Sequence, residues 1–114
     1  MARRESERGT VTAELAVGLP AVVLVLVAVL TLAAASTAQM RALDAARAGA
    51  RAVAIGEQEP AVRAVVARVG GPGAEMSLSH EGRWVRVTVT RPVAGDGAFG
   101  PLRATGSATA WVEP

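Results

Sequence analysis

The sequence predicts an α+β protein: a long N-terminal transmembrane helix, then a short helix and a small three-stranded, mostly antiparallel sheet. Three observations predict it. Residues 15–35 are apolar except for Thr31. Val62, Val65, Val66 and Val69 recur at i, i+3, i+4 and i+7, the spacing of an amphipathic helix. From residue 75 onward the apolar period drops to two, as in half-buried strands. The chain divides into a leader at 1–9, a transmembrane and extended helix at 10–56, and a small extracytoplasmic α/β head at 57–114.

Residues 1–9, MARRESERG, are polar and of mixed charge and read as a disordered leader. The helix is expected to start near Val11. Its apolar run of about 21 residues, at about 1.5 Å each, matches a hydrocarbon core roughly 30 Å thick. A soluble core helix rarely stays apolar on every face for so long. The helix therefore needs the lipid bilayer as a partner. Gly18 and Pro20 sit in its first turns. Pro20 removes a backbone donor and crowds the carbonyl four residues back, which predicts a kink near Ala16.

The front edge of the run is its most informative part. Glu14 stands five residues after Gly9 and directly before the apolar stretch. A carboxylate at the lip of a hydrophobic helix is costly to insert, by up to a few kcal/mol if it goes deep. A plain anchor would gain by losing it. Cleavage after Gly9 supplies a partner, because Thr10 then carries a new α-ammonium group, mostly protonated near pH 7.

Short basic leader, Gly9, Glu14 and the helix from Leu15 together resemble the class III signal of type IV pilins and pseudopilins. The stretches ERGTVTAELAVGLPAVVLVL and QMRALDAARAGARAVA are similar to the TadE-like minor pilins of tight-adherence (Flp) pili. The resemblance covers about residues 7–56. It implies cleavage between Gly9 and Thr10 by a prepilin peptidase, an assembly role for Glu14, and a helix break at Pro20 that helps subunits pack. It implies other pilin or pseudopilin subunits as partners. Position +1 is Thr10 rather than a bulky apolar residue, and position +6 is Leu15 rather than an aromatic. The second departure points to a minor subunit. Two other readings stay open: an uncleaved single-pass anchor whose head binds a partner, and a secreted protein cut near Ala38. The first leaves Glu14 unexplained; the second requires an apolar region longer than the usual 7–15 residues.

Charge does not orient the helix. Arg3, Arg4 and Arg8 precede it and Arg41, Arg47 and Arg51 follow it, a near tie by the positive-inside rule. The resemblance implies a cytoplasmic N-terminus, a head outside the cytoplasmic membrane, and a place in a pilus at the cell surface.

No stop signal follows Ala38, so the helix is expected to continue to Gly56. Asp44, Arg47 and Arg51 share one face, with Arg41 at its edge, and Asp44 can pair with Arg47. Ala45, Ala46, Gly49 and Val53 lie opposite, small enough for another backbone to approach closely. Glu57, Gln58 and Glu59 with Pro60 start the valine helix, and Gly70-Gly71-Pro72-Gly73 stops it.

Strands follow at 75–80, 83–91 and 102–112, with a tight turn at Glu81-Gly82. Val85, Val87 and Val89 face one way; Trp84, Arg86, Thr88 and Thr90 face the other. In the last strand Leu102, Ala104, Ala108, Ala110 and Val112 make the apolar face, and Trp111 shares the outer one with Trp84. Gly106 suggests a bulge or close backbone approach. Residues 92–101 read as a Gly-rich loop, with Asp96-Gly97 as a turn. Such a small head is marginal alone and is expected to lean on the valine helix and the end of the long helix.

The residue inventory offers no chemistry. All twelve basic residues are Arg and there is no Cys. Net charge is only +2, which gives no case for a nucleic-acid partner. The single histidine, His80, falls at the predicted hairpin with no second imidazole or thiol to share a metal. We expect no catalytic residue, cofactor or metal site.

Overall fold

The computed structural model describes residues 2–93 and 102–113, with side chains from Glu7 onward. It comprises two compact units, Met1–Leu32 and Ala33–Pro114. Helix α1 is Ala2–Ala54 and α2 is Glu59–Gly70. Strands β1 (Glu75–Glu81), β2 (Trp84–Pro92) and β3 (Arg103–Trp111) form one antiparallel sheet in the order β1-β2-β3.

The first unit is helix alone. The helix begins at Ala2 rather than near Val11, so residues 2–9 are helical and not a disordered leader. Ala, Arg and Glu dominate this segment and are good helix formers, and a lone glycine costs only about 1 kcal/mol. Thr12 donates from Oγ1 to the Arg8 carbonyl at 2.9 Å, the local back-bond open to a mid-helix threonine. Its apolar side chains are uncovered. Val17 is 76% exposed and Leu24 71%.

The second unit contains the sheet, α2 and about the last six turns of α1. Here α1 buries small residues: Ala38, Ala42, Ala45, Ala46, Ala50 and Ala52. Ala45, Ala46, Ala50 and Ala52 pack with Val62 and Val66 of α2 and with Val87 and Val89 of β2, and Ala38 packs with Val93 and with Ala104 of β3. Gly106 lies so close to α1 that a Cβ there would meet the Leu43 nitrogen at 2.5 Å. The small-residue face is thus covered by the protein's own sheet, and Gly106 marks the close approach. The Gln39 side-chain amide donates to the Thr105 carbonyl at 2.7 Å, closing the same contact.

Gly56 ends α1 as expected. With φ of 89° it sits in left-handed backbone open to glycine. Gly56 N–H donates to Val53 O at 3.1 Å and Glu57 N–H to Ala52 O at 3.0 Å, the paired bonds of a Schellman motif. The valine helix starts with Gln58 as its cap and Pro60 in its first turn. Glu59 and Arg63 form an exposed ion pair at 2.7 Å. The expected Asp44–Arg47 pair does not form among the described contacts; two exposed long side chains gain little from holding one geometry.

Two details of the sheet differ from expectation. The β1–β2 turn is Gly82-Arg83, not Glu81-Gly82, since Glu81 still pairs with Trp84. Gly82 takes φ of 62°, which a two-residue turn of type II′ demands at its first central position. Leu102 lies before β3 and is 49% exposed; outside the ladder the alternation no longer dictates its direction. The Asp96-Gly97 turn falls outside the described residues.

Candidate functional site

The residues singled out for processing and assembly all lie on α1, in its first unit. Gly9, Thr10 and Glu14 are exposed, as is Pro20. A Cβ on Gly9 would meet nothing within 4 Å. Thr10 and Glu14 are one turn apart, so they share a face of the helix. Among the described residues Glu14 forms no ion pair. The helix runs on both sides of Pro20.

This segment is built to leave its apolar surface outside the fold. None of its most apolar window is buried, and Glu7–Ala54 is long and apolar enough to cross a membrane. The model of the family described as TadE-like protein matches residues 9–51. The match agrees with the resemblance read from the leader, Glu14 and the Ala/Arg-rich continuation. It covers less than half of the chain and none of α2 or the sheet. Searches of curated proteins and of solved structures found no match. The TadE-like segment associates the chain with the tight-adherence pilus and, with its exposed apolar helix, suggests a single-pass membrane protein and other pilus subunits as partners.

Beyond the TadE-like segment, the head displays an aromatic pair. Trp84 and Trp111 face each other across the β2–β3 ladder on the outer sheet face, with ring centroids 4.9 Å apart and planes at 75°. The Arg83 guanidinium lies 5.9 Å from the Trp111 ring centre, within cation–π range. His80 sits on β1 opposite Val85, exposed, one pair before the turn. Among the described residues no group of three metal-ligating side chains converges.

One functional candidate escaped the sequence reading. Arg91 continues the inward row of Val85, Val87 and Val89, two residues further along β2. Its Nε and Nη1 are buried without a hydrogen-bond partner. Burial, and after it the charge of Arg41, hold the Arg91 guanidinium below its ordinary pKa. Strand parity alone signals this placement: a period-two row of valines that ends in arginine puts the arginine on the core face.

Proposed function

We propose that this chain is a minor pilin or pseudopilin of a tight-adherence, type IV-like pilus. It is made as a membrane-anchored precursor with its N-terminus in the cytoplasm and its head outside. A prepilin peptidase cuts it between Gly9 and Thr10, and the mature chain acts in pilus assembly rather than catalysis. The observation that carries this reading is Glu14: an exposed carboxylate without an ion pair among the described residues, at the edge of an uncovered apolar helix. An anchor alone has no use for it. In a bundle of such helices, the apolar surface packs laterally and the Glu14 carboxylate meets the Thr10 ammonium of a neighbour. A bend at Pro20 loosens the first turns for that packing.

A competing reading, an unprocessed single-pass protein with a partner-binding head, draws on the unbroken helix through Gly9. A peptidase needs that turn opened, and glycine is the residue that weakens a helix most after proline. The mass of the mature N-terminus separates the two. We expect a chain starting at Thr10 in cells carrying the peptidase, and a Gly9→Val chain that stays uncut. Gly9 has open space around its Cβ position, so this substitution tests recognition rather than packing. A mature chain starting at Met1 would favour the unprocessed anchor; one starting at Gln39 would favour secretion.

A further inference from the structure

The Arg91 guanidinium is the least comfortable group among the described residues. Its Nε and Nη1 have lost water without gaining a hydrogen-bond partner, which disfavours the charge they carry. Arg41 reaches the same place from α1, and the two cations repel. Among the described residues neither forms an ion pair with a carboxylate. Both line a pocket of about 320 Å³ whose other walls include Ala33, Ala34, Thr37 and Val93. So the lining combines one threonine and two arginines with alanine and valine.

That composition calls for an anion carried on an apolar body. Arginine presents forked donors that match a phosphate in two-point fashion. Ala33 and Ala34 belong to the last turn of the apolar run that ends at residue 35. Where that run crosses the bilayer, the pocket lies at the level of the headgroups. We propose that Arg41 and Arg91 form a site for the phosphodiester of an anionic phospholipid, with the glycerol and first acyl carbons against Ala33, Ala34 and Val93. The lipid phosphate then offsets the facing charges of Arg41 and Arg91 and ties the base of the head to the membrane. This rests on the single-pass reading of α1, which alkaline extraction of membranes tests separately.

The test uses the full chain in an uncharged detergent, with head melting followed by the fluorescence of Trp84 and Trp111. Soluble dihexanoylphosphatidylglycerol should raise the melting temperature in a saturable way. Dihexanoylglycerol, which lacks the phosphate, should not, and inorganic phosphate should act only at much higher concentration. Arg91→Gln should weaken the apparent affinity for the phospholipid about tenfold, the loss of one charge-assisted contact. Arg41→Gln should weaken it as well, and its exposed position protects the fold. Without lipid, Arg91→Gln should melt no lower than the parent chain, because a guanidinium lacking partners at Nε and Nη1 gives the head nothing to lose. No shift with the phospholipid, or a shift in both variants at the same concentrations as in the parent chain, overturns the proposal. Inorganic phosphate acting as well as the lipid reassigns the site to free anions. No lipid effect, with subunit crosslinking lost in both variants, assigns it to a carboxylate of a neighbouring chain and overturns the lipid.

Discussion

Helix α1 carries two apolar surfaces that differ in everything but their low polarity. Between residues 11 and 32 the surface is valine and leucine, and it is exposed. Between residues 38 and 52 it is alanine and glycine, and it is buried. Hydrophobicity alone would rank the first stretch as core. Side-chain size explains the inversion. Large branched side chains fill space against mobile partners, lipid tails or other helices, that mould themselves to the surface. Alanine and glycine leave room for something that cannot mould itself, here the backbone of β3 and the valines of α2 and β2. Large apolar residues thus mark the face offered outward, and small ones mark the face already used.

The sharpest way to break this contrast is glycine replacement. Gly106→Ala places a Cβ 2.5 Å from the Leu43 nitrogen and 2.6 Å from its Cα. Both are backbone atoms that cannot rotate away, so the helix and strand must separate. We expect a loss of about 3 kcal/mol in head stability, the upper end for overpacking. Gly18→Ala, where the added Cβ meets nothing, should leave head melting unchanged and favour the helix by up to about 1 kcal/mol. Denaturant melts of both chains decide. Equal losses would show that size does not distinguish the two surfaces.

A smaller effect comes from valine truncation. Val87 is fully buried, and Val87→Ala should cost about 2 kcal/mol through lost burial and a residual cavity. Val25 is 64% exposed, and Val25→Ala should shift head melting by less than about 0.5 kcal/mol. A comparable loss at Val25 would mean that the first stretch packs into the fold, against the exposure seen here.

The same contrast explains which features were legible beforehand. Local patterns carried most of the head. Val62, Val65, Val66 and Val69 announced α2, and the valines of 85–89 announced β2. Gly56 and Gly106 were readable because each answers a demand that only glycine meets. Support of the head by the end of α1 was expected, but the strand that meets its alanine face was not readable, since small residues declare close approach and not the approaching chain. Arg91 was within reach, because parity fixes its side of the sheet. Its significance was not, because the desolvation depends on α1 crossing nearby with Arg41. The helical start at Ala2 was missed by treating mixed charge as disorder, although arginine and glutamate are strong helix formers.

The smallest expected effect on the head, and the most informative for assembly, is at Glu14. The residue lies in the first compact unit, and Glu14→Gln should move head melting by less than about 0.5 kcal/mol. On the proposed cleavage after Gly9, two partners compete for its carboxylate. One is the Thr10 ammonium of its own chain, one turn away on the same face, helped by the positive end of the helix dipole. The other is the Thr10 ammonium of a staggered neighbour. Own-chain pairing would make Glu14 a comfort to the isolated helix and irrelevant between subunits. Neighbour pairing makes it a register device, because a slipped register leaves both charges unpaired in a poorly solvated place. Glu14→Gln keeps the size and removes the charge, so it should be made, inserted and cut as before. We expect it to be poorly recruited, with subunit crosslinking reduced severalfold while cleavage stays normal. Undiminished crosslinking and normal piliation would remove the register role and leave the pair within one chain, or the plain anchor, as the better account of that carboxylate.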